Sequence, residues 1–238
     1  MKVQSKIKHF LNSNKRKASV NFHKKHRTLH HKLIFKQFSG FTMIQKDEYL
    51  RNLELAERTI NISGAVVECG VWRGGMIGGI ASILGKDREY YLFDSFEGLP
   101  QVKDIDGKDA ANWQKNTTGV DYFDNCKAEA EYANKAMKIA NVDDDAVHIV
   151  KGWFNETLPL GNYEFPISLL RLDGDWYEST MTCLQYLFPN VVSGGIIIID
   201  DYHTWEGCAK AIHDYLSRHG RPERISQFNN RTAYIIKS

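Results

Sequence analysis

Long apolar runs are missing from this chain. Its longest unbroken stretch of aliphatic side chains is Ile196–Ile199, far short of the roughly 20 residues a membrane-crossing helix needs, which excludes an integral membrane protein. Proline is scarce, at 5 of 238 residues, and composition and length fit one substantial domain with an appendage. The four cysteines, Cys69, Cys126, Cys183 and Cys208, form no CxxC pair. A zinc knuckle and a disulfide framework are therefore not indicated, and a reducing, cytoplasmic setting is expected.

Acidic residues are absent from one part of the chain. Residues 1–46 carry 12 Lys and Arg, five His and no Asp or Glu, whereas the remainder carries a net charge of −10. This reads as a basic N-terminal extension (1–46) on an acidic body (47–238). No apolar core of a secretory signal lies in the extension. Three uses stay open: a solvated, partly helical extension, an arm held to an anionic membrane (peripherally, at the inner surface) or polymer, or a nucleic-acid tail. Aromatic spacing suited to base stacking is not evident, so no specific nucleic acid is expected.

From Asp47 onward, helix-like and strand-like segments alternate. Helices are expected at 47–59, 77–84, 124–140, 178–187 and 206–219. Strands are expected at 65–69, 90–93, 147–150, 167–172, 195–199 and 232–237, and the polar stretch 98–121 reads as an insertion or mobile loop. Such alternation predicts an α/β fold with a mostly parallel sheet and helices on both faces. Ligands then bind beyond the carboxyl ends of the strands, where this sequence places Glu68, Asp94, Asp173, Asp200 and Asp201.

Two constellations carry chemistry. The first is Glu68-Cys69-Gly70-Val71-Trp72-Arg73-Gly74-Gly75 between a strand and a helix, with Asp94 at the end of the next strand. Glycine lets backbone N–H groups approach a ligand, and an acid placed like Asp94 can grip ribose hydroxyls. The spacing is not GxGxxG, which disfavours a dinucleotide site. An acid ahead of the glycines repels pyrophosphate but attracts a sulfonium or ammonium. The alternative is a plain strand–helix turn. The second constellation is Asp173, Asp200 and Asp201, three carboxylates at adjacent strand ends. They would raise one another's pKa unless a hard divalent cation sat among them; the plainer alternative is helix capping. Asp175 is the candidate general base, with His203 as the alternative. Trp72, Trp153, Trp176 and Trp205 neighbour these positions, as core packing or as walls of a pocket.

Five segments in order, VVECGVWRGG (66–75), LFDSFEGLP (92–100), KGWFNETLP (151–159), LLRLDGDWYEST (169–180) and GGIIIIDDY (194–202), resemble the macrocin O-methyltransferase family. The resemblance spans about 40–238 and extends to Phe41-Thr42-Met43. It implies a Rossmann-like class I methyltransferase fold with a seven-stranded sheet whose last strand is antiparallel. It also implies Mg²⁺-dependent transfer of a methyl group from S-adenosylmethionine to a hydroxyl of a sugar, a glycosylated natural product or a glycan. The cofactor-binding positions it implies are Thr42, Met43, Glu68, Gly70, Arg73, Asp94, Ser95, Gly152, Trp153 and Asp173. Glu68 and Gly70 would lie at the methionine end, Asp94 at the ribose and Trp153 at the adenine. Asp173, Asp200 and Asp201 would hold Mg²⁺. Related catechol-type enzymes carry a lysine three residues after the first metal aspartate, where this chain has Trp176, and that strengthens Asp175 as base. A catechol-type small-molecule enzyme, a non-catalytic binding protein on the same fold and an NAD-dependent oxidoreductase remain the rival readings. A homo-oligomer is a further expectation.

Overall fold

A computed structural model describes residues 26–120, 122–228 and 232–238. Most of the basic extension, with its KRK run at 15–17, lies outside the described residues, as does Asp121. A first helix, α1, occupies 26–38. It is followed by α2 (Lys46–Glu57), β1 (Ala65–Cys69), α3 (Gly75–Leu84) and β2 (Tyr90–Asp94). Then come α4 (Lys108–Lys115), α5 (Ala130–Ile139), β3 (Val147–Lys151), α6 (Phe154–Leu160) and β4 (Ile167–Leu172). The chain finishes with α7 (Tyr177–Leu187), β5 (Val191–Ile199), α8 (Glu206–Arg218), β6 (Ile225–Gln227) and β7 (Ala233–Ile236).

The seven strands form one sheet in the order β3-β2-β1-β4-β5-β7-β6. β1 to β5 run parallel, and β7 enters antiparallel between β5 and β6. The expected Rossmann-like α/β architecture is thus observed. Strand order reverses between β1 and β4, which makes their carboxyl ends the switch point at which such sheets bind ligands. β1 and β4 are buried along their whole length, as strands covered on both faces must be. One apolar layer unites α1, α2, α3 and α5 with one sheet face, and the other unites α7 and α8 with the opposite face.

Two expectations change, and two elements had gone unmarked. The division at residue 46 does not coincide with a break in packing, because Ile34 and Phe38 of α1 are buried in the core. Phe38 fits against Gly78, where a Cβ would come within 2.6 Å of its ring. The stretch 98–121 is not a bare loop, since it contains α4. α6 was hidden in the sequence by Pro159, a residue that ordinarily argues against a helix interior. β6 is only three residues long, too short to leave an alternation pattern. Among the described residues, no helix is long and apolar enough to cross a membrane.

Candidate active site

A cavity of about 740 Å³ opens beyond the carboxyl ends of the central strands. Its walls come from Phe41–Gln45, the β1–α3 turn, Asp94–Ser95, the 98–106 segment, the start of α6, and the acids after β4 and β5. Backbone geometry explains why the turn after β1 is glycine-rich. Gly70 has φ +88°, and a Cβ there would lie 1.7 Å from the Asp173 carbonyl oxygen. The ends of β1 and β4 are stitched by Asp173 N–H donating to Cys69 O at 2.8 Å. Gly70→Ala must break that approach and adopt a backbone conformation L-residues avoid. The expected result is a loss of about 2–4 kcal/mol in urea unfolding, with cofactor binding lost alongside.

Glu68 is buried beside β4, in register with Arg171. Its Oε2 accepts the Ile77 N–H at 3.1 Å in the first turn of α3, and its Oε1 accepts Arg171 Nη1 at 2.8 Å. Burial pushes the Glu68 carboxyl up, against the pull of that guanidinium. Asp94 is held by three backbone donors: Val71 N–H (2.7 Å) and Trp72 N–H (2.8 Å) on Oδ2, and Phe96 N–H (2.7 Å) on Oδ1. Burial raises its pKa and those three bonds oppose the rise. Asp94 therefore shapes the β1–α3 turn as well as lining the cavity. Ser95 donates to Gly98 O at 2.9 Å. Thr42 Oγ1 accepts the Ile44 N–H at 3.1 Å, and Met43 stands partly exposed at the cavity wall. Trp153 opens α6 and also lines the cavity.

The acidic end is organised by a residue that sequence reasoning passed over. Arg171 is buried in the middle of β4, yet its guanidinium reaches Glu68, Asp173 Oδ2 at 2.8 Å and Asp200 Oδ1 at 2.5 Å. Its Nε donates to Asn52 Oδ1 at 3.2 Å. Burial works against its charge, but Asp200, Asp173 and Glu68 together hold it firmly protonated. This corrects the expectation that only a metal could reconcile the aspartates, because the fold supplies one cation itself. The signal was available, as a lone arginine inside the apolar run of LLRL.

The acids that converge are also not the expected trio. Asp173, Asp175 and Asp201 each offer a carboxylate oxygen, all within 4.8 Å of one another. Asp200 is outside that group, its Oδ1 turned to Arg171, and burial lifts its pKa to about 6 against the pull of Arg171. Asp175 sits at φ +56°, a left-handed conformation. There its N–H donates to Asp201 Oδ2 at 3.1 Å, and its Oδ1 accepts the Trp205 indole N–H at 2.8 Å. Burial and then Asp173 push the Asp175 carboxyl up to about 8, with the Trp205 bond opposing. Asp201 is raised well above the usual carboxylate range, first by burial and then by Asp175, Asp173 and Asp200. Three carboxylate oxygens brought this close together suit a hard divalent cation.

Three expected site residues lie off the cavity wall. His203 is exposed, its ring packed edge-on against Tyr202 at 4.9 Å. Arg73 is layered between the Trp72 and Tyr132 rings, at 4.5 and 5.0 Å from their centroids. Gly152 contributes through its backbone, its N–H donating to Asp94 O at 2.9 Å.

The 98–126 insertion closes one side of the cavity. Trp113 of α4 packs edge-on against Trp176 and Trp205, with centroids 6.2 and 6.0 Å away, and those two are 5.3 Å apart. The Trp176 indole N–H donates to Pro100 O at 3.0 Å. Asp106 caps α7, its Oδ1 accepting the Tyr177 N–H at 2.7 Å, because the Trp176 side chain at that N-cap cannot. Asp106, Trp113 and Cys126, which also lines the cavity, had no sequence motif to mark them.

A family model described as macrocin-O-methyltransferase (TylF) matches residues 2–237, taking in the basic extension that the motifs left out. Among characterised proteins, the chain is 34% identical over 187 residues to a tetracenomycin rhamnosyl 4'-O-methyltransferase of Streptomyces olivaceus, covering 76% of this chain and 69% of that one. It is 33% identical to mycinamicin III 3''-O-methyltransferase of Micromonospora griseorubida, over 74% of this chain and 70% of that one. Among solved structures, the O-methyltransferase NovP aligns with a TM-score of 0.69 and 28% identity, over 83% of this chain and 82% of that one.

Proposed function

As a member of the macrocin-O-methyltransferase family this chain is an S-adenosylmethionine-dependent O-methyltransferase, and from that premise we propose that it methylates a hydroxyl of a sugar or glycosylated small molecule with the help of Mg²⁺. The observation that carries the reading is the convergence of Asp173, Asp175 and Asp201 in the cavity that Glu68 and Trp153 also line. The sugar as acceptor is supported by the relatives, whose names specify a rhamnosyl 4'-hydroxyl and a 3''-hydroxyl.

When bound, the cofactor supplies a methyl group already activated on a sulfonium, and Mg²⁺ supplies the Lewis acidity that makes an alcohol easier to deprotonate. Glu68 and Arg171 set the charge beneath the cofactor half, with the carboxylate favouring a cation above it. Trp153 offers an aromatic face for the adenine. Asp173 and Asp201 would hold the metal, with Asp175 close beside them, while Asp200 stays paired with Arg171. Asp175 takes the acceptor's hydroxyl proton on Oδ2, while Trp205 fixes Oδ1. Its raised proton affinity makes it, once ionised, a stronger base than a free carboxylate. The insertion, with Trp113 packed on Trp176 and Trp205, would exclude water from one side and help position the acceptor, which contributes the proximity term.

Chelation tests the reading. With EDTA, methyl transfer to a rhamnosylated acceptor is expected to fall at least about 100-fold and to return on adding Mg²⁺, consistent with a Lewis acid contributing several kcal/mol. S-adenosylmethionine affinity, measured by calorimetry, should stay within a few-fold. Undiminished transfer in EDTA would remove Mg²⁺ from the reaction and leave the methyltransferase assignment standing.

A further inference from the structure

The basic extension is not used by the chemistry above, and α1, its described end, divides sharply into two faces. His31, Ile34 and Phe38 are buried, Phe35 packs edge-on to Tyr49 at 5.2 Å, and Arg27 pairs with Glu54 at 3.1 Å. That face docks the helix on the domain. Leu29, Lys32, Leu33 and Lys36 follow the i, i+3, i+4, i+7 spacing that places residues on one helical face. Leu29 and Leu33 are 55% and 58% exposed. Lys32 and Lys36 are exposed, and neither has an acidic partner among the ion pairs of the described residues. A leucine pair on a helix whose other face already fills the core is not needed for folding.

We propose that the Leu29–Lys32–Leu33–Lys36 stripe of α1 docks the enzyme on an anionic lipid bilayer. Interfacial helices of this kind insert apolar side chains at the headgroup boundary while lysines reach the lipid phosphates. One weak apolar anchor needs a second, electrostatic one. The sequence provides it, with 12 Lys and Arg and no acid in residues 1–46. The body's charge of −10 is repelled by the same surface, which favours approach with α1 foremost. A nucleic acid would use the lysines but gains nothing from two aliphatic side chains that cannot stack on bases. α1 leads directly into Phe41–Gln45, which walls the cavity, so docking through α1 brings the cavity close to the membrane.

Deleting the extension up to Phe41 would also remove Ile34 and Phe38 from the core, so the experiment keeps the full chain. Co-sedimentation compares phosphatidylcholine vesicles with vesicles containing phosphatidylglycerol, at low and high salt. Partitioning is expected to be at least about tenfold stronger on the anionic vesicles and to weaken with salt. Leu29→Glu/Leu33→Glu should cut it at least about tenfold, and Lys32→Glu/Lys36→Glu should do the same. Melting temperature and S-adenosylmethionine affinity should be unchanged in both. Equal partitioning on neutral and anionic vesicles would overturn the proposal. Leucine variants that still bind anionic vesicles like the wild type, or that only convert a dimer to a monomer, would overturn it too. Salt-sensitive DNA binding with no vesicle binding would reassign the arm.

Discussion

Asp175→Asn is expected to lower kcat by about 10³, within the range that a positioned general base contributes, while S-adenosylmethionine affinity and melting temperature change little. Asparagine keeps the shape of the side chain, and its amide oxygen can still accept the Trp205 N–H. What it loses is the ability to take a proton. His203→Ala provides the contrast: the imidazole is exposed and off the cavity wall, so its loss should leave kcat within about twofold. The measurement is steady-state transfer to a glycosylated acceptor with Mg²⁺ saturating. If His203→Ala fell as far as Asp175→Asn, the assignment of the base would be reversed. Trp205→Phe should fall between them, because it preserves the ring packing and removes only the bond that orients the carboxylate.

The second large effect concerns stability. Arg171→Met should destabilise the fold by about 3–5 kcal/mol, the cost of leaving buried charges without their partner. That is a large share of the about 5–15 kcal/mol by which a domain of this kind is stable. Glu68, Asp173 and Asp200 would lose their common cation, and Asn52 its donor. Urea unfolding at neutral pH would show a lower midpoint with an unchanged slope. Part of the loss should be recovered as pH falls, because protonation relieves the orphaned carboxylates. Arg171→Met at wild-type stability would mean that the four groups do not form one unit.

These two residues also show what could be read in the chain. Ala65–Cys69 and Ile167–Leu172 were legible to the residue as strands, because strands buried on both faces are mostly apolar. Aspartates at strand ends marked the site for the same topological reason. Legibility stopped where one segment's role depends on a distant partner. Asp106 caps a helix 71 positions later in the chain, and periodicity carries no trace of such a contact. Arg171 looked like an exception in an apolar strand until its three acids were placed around it. Asp200 was grouped with its neighbour Asp201 by adjacency, but successive residues point in different directions, and the structure gives one to the guanidinium and the other to the cluster. The helix at 26–38 was obscured by its composition, since basic residues mixed with exposed Leu29 and Leu33 on the outer face hide how few apolar residues are needed to dock it.

The edge-on contacts among Trp113, Trp176 and Trp205 give the enzyme an intrinsic optical gauge. Three indoles held edge-on in an asymmetric setting contribute to the near-ultraviolet circular dichroism, a signal that vanishes when side-chain packing loosens even if helices persist. One of the three rides on the insertion and another holds the base. That band therefore reports, without any label, on the packing that joins α4 to the segments after β4 and β5.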